Sequence, residues 1–104
     1  MGIEMTNEDG VCRATIAGEL TIYGVAEYRD QLLEGCHTRK GLTLDLSGVT
    51  EMDTAGVQFL LALRRHLGDT EEGLRLQHPS TTVRETLGLL RLGELCRDDE
   101  EEAA

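Results

Sequence analysis

The chain has 104 residues, enough for one domain with its own core and too few for two. Its 20 acidic residues outnumber 10 basic ones, which gives a formal net charge of −10 at pH 7. Because the sequence has no basic stripe, direct contact with DNA or RNA is not expected, and a protein partner is favoured instead.

Membrane insertion and a metal or cofactor site are not expected either. No apolar run approaches the roughly 20 residues that cross a bilayer. The N-terminus lacks a basic region followed by an apolar one, so the chain is predicted to be cytoplasmic. Cys12, Cys36 and Cys96 are far apart in the sequence and are predicted to be reduced thiols, with Cys12 in the core.

The first third of the chain predicts a β-hairpin and an amphipathic helix. Residues 3–6 form a candidate edge strand, and Glu8-Asp9-Gly10 has the composition of a tight turn. In residues 11–17 apolar and polar side chains alternate as in a half-buried strand, which Gly18-Glu19-Leu20 is predicted to end. Over residues 25–36 the apolar period becomes that of a helix.

The middle of the chain predicts a buried strand followed by a buried helix. The apolar run of residues 42–46 is dense enough for a central strand, which is predicted to end at Ser47-Gly48. Asp45 within it is expected to pair with a neighbouring loop N–H. Residues 49–53 are predicted to be a loop, and a broad apolar stripe predicts a helix over residues 54–67 that Gly68 closes.

The last third predicts a short strand, a helix and an acidic end. The strand covers residues 74–77, and the helix opens at Pro79-Ser80, with either Ser80 or Thr82 as its N-cap. Residues 92–96 are predicted to add a short strand or half-turn, and residues 98–104 an acidic, disordered tail. The apolar face of the helix is predicted to consist of Val83, Leu87 and Leu90.

The resulting order, β-β-α-β-α-β-α, predicts the fold class. Strands that alternate with helices become parallel neighbours joined by right-handed crossovers, and here they follow an antiparallel hairpin. We therefore predict an α/β fold in one domain of residues 1–97, with a mixed sheet of about four to five strands covered by about three to four helices.

Thr54 is a hydroxyl residue at the start of the predicted buried helix, just after the predicted loop that follows the central strand. The unpaired backbone N–H groups and the dipole of a helix N-terminus stabilise negative charge, such as that of a phosphate. Both Asp53 and Thr54 are also favoured as helix N-caps, so residue chemistry alone leaves open whether Thr54 is a cap, a phosphate acceptor or both. Gly56, two residues on, is the residue type chosen for close backbone packing.

The stretch LTLDLSGVTEMDTAGVQFLLAL, residues 42–63, resembles the STAS domain family, the sulfate transporter and anti-sigma factor antagonist domains. That family has an apolar strand, an Asp-Leu-Ser-x-Val turn and then Asp-Ser-Ser-Gly or Asp-Thr-x-Gly before an apolar helix. Gly18-Glu19-Leu20 and the segment from Pro79 to Leu87 resemble further parts of the family pattern, so the likeness covers nearly the whole chain. The matching motif residues are Asp45, Leu46, Ser47, Val49, Asp53, Thr54 and Gly56.

The resemblance implies a non-enzymatic switch in signal transduction and transcription regulation. In bacterial anti-sigma factor antagonists, the residue after the motif Asp is phosphorylated by a GHKL-type serine/threonine kinase that is also an anti-sigma factor, and a PP2C-type phosphatase reverses this. By position, the phosphate acceptor is Thr54. The implied partner-binding residues are Asp53, Thr54, Ala55, Gly56 and Gln58, and the implied structural residues of the motif are Asp45, Ser47 and Gly48.

The chain departs from the commonest pattern at two positions, because Thr54 replaces the usual Ser and Ala55 replaces a second hydroxyl residue. A Thr at this site also occurs in relatives that serve other assemblies. The alternatives are therefore a regulator in a chemotaxis or two-component pathway, or a structural STAS subunit of a bacterial lipid-transport ABC complex without phosphorylation. Nucleotide binding by the domain itself is a third alternative, which we do not expect.

Overall fold

A computed structural model of the chain describes residues 2–36, 40–68 and 73–96. The predicted acidic tail of residues 98–104 lies outside these ranges, and so do residues 69–72 between the predicted helix over residues 54–67 and the predicted strand over residues 74–77. The elements are β1 (Gly2–Glu8), β2 (Val11–Leu20), α1 (Val25–Gly35), β3 (Gly41–Met52), α2 (Thr54–His66), β4 (Gly73–Gln77), α3 (Thr81–Leu89) and a short 3-10 helix (Gly93–Cys96).

The four strands form one mixed sheet in the order β1-β2-β3-β4. β1 is antiparallel to β2, whereas β2, β3 and β4 are parallel neighbours. Because the two crossovers step in the same direction across the sheet, right-handed connections place α1 and α2 on the same face, where the two helices contact each other. The predicted mixed sheet covered by helices is confirmed.

The turn between β1 and β2 fixes the register of the hairpin. Asp9 and Gly10 both have positive φ angles, 53° and 83°, as a type I′ turn requires. Every residue from Gly2 to Glu8 then has a partner in β2, ending with Glu8 opposite Val11. β1 is therefore longer than the predicted edge strand of residues 3–6.

Two sequence predictions at the centre of the sheet are wrong. β2 does not end at Gly18 but continues to Leu20, and residues 47–52, predicted to be a turn and loop, are part of β3. The two extensions pair with each other, with Gly18 opposite Val49 and Leu20 opposite Met52. The Ser47-Gly48 pair marks an irregularity in register rather than a strand end.

Gly48 makes this pairing possible because its backbone passes close to β2. A Cβ atom at this position would lie 3.1 Å from the Ala17 Cβ and 3.2 Å from the Ile16 carbonyl oxygen. A glycine inside a strand often marks such a close approach, and here the local pattern of turn residues hid the strand.

The core lies between the sheet and the helices. Alternate residues of β2, Cys12, Ala14 and Ile16, are buried, which confirms the predicted place of Cys12. The helices complete the core through one face each, as their apolar periods predicted. The largest fully buried side chains are those of Ile16, Leu20, Leu44, Leu46, Leu60, Leu76, Leu87 and Val83.

The helix ends differ in detail from the prediction. Leu67 rather than Gly68 is the C-cap of α2. Ser80 is the N-cap of α3, since its hydroxyl accepts a hydrogen bond from the Val83 N–H at 3.2 Å. Leu90, predicted on the buried face of α3, is its C-cap and is exposed. The segment after α3 is neither strand nor half-turn but a 3-10 helix.

Candidate functional site

The candidate site is the junction at which β3 passes into α2. Asp53 is the one residue between the two elements, with an extended backbone (φ −119°, ψ −174°). Its Oδ1 accepts a hydrogen bond from the Gly56 N–H at 3.0 Å, which makes Asp53 the N-cap of α2. The open question of which residue caps the helix is thereby answered.

The second oxygen of Asp53 fastens a neighbouring loop to the same point. Oδ2 accepts a hydrogen bond from the Ile22 N–H at 3.0 Å, across 31 residues of chain. This bond, more than the one from Gly56, lowers the pKa of the Asp53 carboxyl below its ordinary value, while partial burial opposes the shift. The carboxylate therefore holds together two segments, the start of α2 and the loop between β2 and α1.

Thr54 is the first residue of α2 and is exposed. Because Asp53 provides the cap, the Thr54 hydroxyl is not needed for one, and no hydrogen-bond partner for it is found within the residues that the structure describes. The hydroxyl stands at the positive end of the helix dipole. Nearby charge is acidic, from Asp53 and from the exposed Glu51.

Gly56 brings the start of α2 against the end of β2. A Cβ atom at this position would lie well inside contact distance of the Leu20 carbonyl oxygen and 3.2 Å from the Leu20 Cγ. Because a backbone atom cannot move aside cheaply, only glycine fits here. This close contact is what sets Thr54 beside the β2–α1 loop.

Sequence reasoning missed two residues of that loop, Ile22 and Tyr23. Their side chains are 62% and 87% exposed, unusual values for large apolar groups at adjacent positions. The loop is held by the Thr21 carbonyl, which accepts bonds from the Gly24 and Val25 N–H groups. The signal in the sequence was the pair of apolar residues between the end of a strand and a glycine.

The predicted site residues fall into two separate groups. Asp53 to Gly56 and Gln58 lie together at the first turns of α2. Asp45, Ser47 and Gly48 lie farther back along β3, where Asp45 Oδ1 accepts a hydrogen bond from the Ser47 N–H at 2.8 Å, the local pairing expected for Asp45. At the usual strand rise, roughly 26 Å separates Asp45 from Asp53 along the strand, too far for paired carboxylates.

Other kinds of site find no support in the described part of the chain. Residues 2–36, 40–68 and 73–96 contain no group of three or more His, Cys, Asp or Glu side chains that could hold a metal ion. None of the helices in these ranges is long and apolar enough to span a bilayer. The three cysteines are not paired in disulfides.

Comparison with known families decides the identity of the fold. The family model described as "Mlab, STAS domain" matches residues 3–97. The chain belongs to the STAS domain family. No curated protein sequence matches it.

Two solved structures of anti-sigma factor antagonists are similar to this chain. The anti-sigma factor antagonist SpoIIAA in its unphosphorylated form has a TM-score of 0.72 and 22% identity, with 90% of this chain and 84% of that chain covered. An anti-sigma factor antagonist from Mycobacterium paratuberculosis has a TM-score of 0.74 and 22% identity, with 89% and 81% covered. At this identity the likeness shows a common fold.

Proposed function

We propose that this STAS domain is a non-enzymatic protein-binding module whose binding is switched by phosphorylation of Thr54. The proposed partners are a GHKL-type serine/threonine kinase that is also an anti-sigma factor, and a PP2C-type phosphatase that removes the phosphate. The likeness in fold to two anti-sigma factor antagonists supports this assignment.

The single observation that carries the proposal is that Asp53, and not Thr54, makes the structural hydrogen bonds at the start of α2. Asp53 caps the helix and binds the Ile22 N–H, whereas Thr54 is exposed and has no structural bond within the described residues. A kinase can therefore reach the hydroxyl without unfolding the helix. The exposed Ile22 and Tyr23 beside it provide apolar area for a protein contact.

Phosphorylation would act mainly on binding rather than on folding. A phosphate on Thr54 would be attracted by the helix N-terminus and repelled by Asp53 and Glu51, so that any gain for the helix stays at about 0.3–1 kcal/mol or less. In an interface built around a neutral hydroxyl, a dianion has to be desolvated and finds acidic neighbours. The proposed switch therefore releases the partner and leaves the domain folded.

The chain contains a matched control for Thr54. Thr81 is also the exposed first residue of a helix and also follows the capping residue, Ser80. After incubation with the cognate kinase and ATP, a Phos-tag gel should show a shifted band for the wild type and for Thr81→Ala, and none for Thr54→Ala. A shift that survives Thr54→Ala would refute the assignment of the acceptor.

Binding to the kinase supplies the second half of the test. Titration calorimetry should show that the unphosphorylated chain binds and that the phosphorylated chain, or Thr54→Glu, binds at least about tenfold more weakly, a change of about 1.4 kcal/mol. Equal affinity for both forms would contradict the switch even if Thr54 is phosphorylated.

A second candidate function is a structural subunit of a bacterial lipid-transport ABC complex that needs no phosphorylation. The observation that favours it is the pair Thr54 and Ala55, because Asp-Thr-x-Gly resembles the motif of small STAS subunits in such complexes. The chain would then purify with an ATPase subunit, and Thr54→Glu would leave that association unchanged. A regulator of a chemotaxis or two-component pathway would instead be distinguished by its own partner kinase.

A further inference from the structure

A continuous groove runs over the surface between α1 and α2. It consists of two adjoining hollows of about 610 Å³ and 470 Å³, which share Arg29, Phe59 and Ala62 in their walls. The first hollow begins at Ile22 and Ala55, beside Thr54, and the second reaches Leu33 and His66 at the far ends of the two helices.

The dimensions and floor of the groove suit a helix. α2 has 13 residues, which at 1.5 Å rise per residue gives a length of about 20 Å, or three to four helical turns. Phe59 and Leu32, 8% and 5% exposed, form an apolar floor. The small side chains of Ala26 and Ala62 leave room between the two helices. An apolar face laid between two helices is a recurrent mode of peptide recognition.

The charge along the groove is opposite to that of the chain as a whole. Arg29, Arg65 and His66 lie in its walls, and no Asp or Glu lines either hollow within the described residues. The whole chain, by contrast, carries a formal charge of −10. Arg29 pairs with Asp30 at 3.4 Å, but both side chains are 63% exposed, so that this ion pair is weak and can be exchanged for another.

We propose that the α1–α2 groove binds an amphipathic helix of a partner protein, with an apolar stripe that faces Phe59 and carboxylates that pair with Arg29 and Arg65. The inference deepens the proposed function and rests on it, because the groove begins at the N-terminus of α2, next to Thr54. The exposed Leu33 and Ile22 at the two ends are the apolar contacts for the ends of the bound helix.

A second copy of this chain does not provide such a helix. The buried residues of α1, α2 and α3 occupy one face of each helix and are already packed in the core. Among the described residues, the large apolar side chains that the helices leave exposed are Leu33 of α1 and Leu89 at the end of α3, single positions rather than a stripe along a helix. The bound helix has to come from a different protein, and an acidic one is favoured because the walls of the groove are basic.

The first test uses two synthetic helical peptides of about 14 residues, or four turns. Both carry leucine at positions i, i+3, i+4 and i+7, and they differ only in having glutamate or lysine beside the leucines. Added to the isotope-labelled full chain, the glutamate peptide should shift the amide NMR signals of α1 and α2. Equal binding of the lysine peptide, shifts confined to other elements, or no shifts at millimolar peptide would each overturn the proposal.

The second test uses adjacent arginines of α2 as a matched pair. Arg64 and Arg65 are both exposed and lie in the same last turn, but only Arg65 lines the groove. Arg65→Glu should weaken binding of the glutamate peptide about tenfold, whereas Arg64→Glu should change it less than about twofold. Equal effects of the two substitutions would show that only net charge matters and would overturn the groove as the site.

The outcome for the groove can be separated from that for Thr54. Arg65 lies 11 residues after Thr54, about 16 Å farther along the helix. If Thr54→Glu weakens binding of the natural partner while Arg65→Glu does not, the switch stands and the groove is refuted. If Arg65→Glu weakens it and Thr54→Glu does not, the groove stands and the switch is refuted.

Discussion

The N-terminal ends of α2 and α3, here called their mouths, have similar sequences but make different contacts. Each has a capping side chain followed by an exposed threonine, Asp53-Thr54 in one and Ser80-Thr81 in the other. The Ser80 hydroxyl makes a single cap bond, whereas the Asp53 carboxylate also holds the N–H of Ile22. The α2 mouth is thus a junction of two chain segments, and the α3 mouth is an ordinary helix start.

The surroundings of the two mouths differ in the same sense. At α3 the backbone is fastened to β3, because the Ser80 N–H donates to the Leu46 carbonyl at 3.2 Å and the Thr82 hydroxyl donates to the Thr50 carbonyl at 3.3 Å. At α2 the neighbouring loop exposes Ile22 and Tyr23. Both helix starts therefore have internal contacts and an exposed threonine, but only the start of α2 has exposed apolar area beside that threonine.

The largest difference between the two helices is expected for glycine substitutions. Gly56→Ala places a methyl group against the Leu20 carbonyl and should destabilise the fold by about 1–3 kcal/mol despite the better helix propensity of alanine. Gly88→Ala in α3 meets nothing within 4 Å and should stabilise by about 0.4–1 kcal/mol. Chemical denaturation measures both, and a stabilising Gly56→Ala would contradict the close contact.

The second comparison concerns the two roles of Asp53. In Asp53→Asn the side-chain oxygen can still cap α2, because Asn and Asp are about equally good caps, but the amide group cannot also accept the Ile22 N–H bond. Hydrogen exchange should therefore accelerate at the Ile22 amide and much less at the Gly56 amide. Equal acceleration at both amides would mean that the two bonds are not separable.

Ser80→Ala is the control for loss of a cap alone. It should destabilise the chain by about 1 kcal/mol and leave exchange at the β2–α1 loop unchanged. Any change of exchange at Ile22 in this variant would show that the two helix mouths are coupled.

Acid should distinguish the two caps further. Because the pKa of Asp53 is lower in the folded chain than in the unfolded one, its contribution to stability is fully present above the unfolded pKa of about 3.9 and is lost as the pH falls through the lower folded value. The stability difference between the wild type and Asp53→Asn should therefore shrink below about pH 4. The stability difference between the wild type and Ser80→Ala should not shrink in this way below about pH 4, because the serine hydroxyl does not ionise. A pH-independent Asp53→Asn difference would contradict the ionised cap.

The sequence predicted the α2 mouth well because its chemistry is local. An Asp before an apolar stripe specifies a helix start, because its side chain bonds to a backbone N–H only three residues away. The residue type of Gly56 was likewise enough to predict close backbone packing. The strand over residues 47–52 was missed because Ser47 and Gly48 have the composition of a turn, and only pairing with the extended β2 makes them a strand.

The loop of Ile22 and Tyr23 was missed for a related reason. Whether an apolar residue beside a turn is buried depends on which element passes over it, and that is decided by the register of distant strands. The bond from the Ile22 N–H to Asp53 spans 31 residues and has no signal in either local segment. Local chemistry therefore located the hydroxyl, but only the tertiary structure shows the apolar surface beside it.

The smallest expected effect is that of a negative charge at each threonine on the stability of the fold. Thr81→Glu should stabilise the chain by about 0.3–1 kcal/mol at low salt, because a carboxylate at a helix N-terminus interacts favourably with the dipole. Thr54→Glu should increase the stability of the fold less, because Asp53 next to it and Glu51 repel the new charge. The net change in its free energy of unfolding should stay within about 0.5 kcal/mol. Thermal denaturation at low and high salt measures both differences. Destabilisation of Thr54→Glu by more than about 1 kcal/mol would mean that a phosphate acts by loosening the helix mouth, whereas a small change together with lost partner binding places the action of the charge in the interface itself.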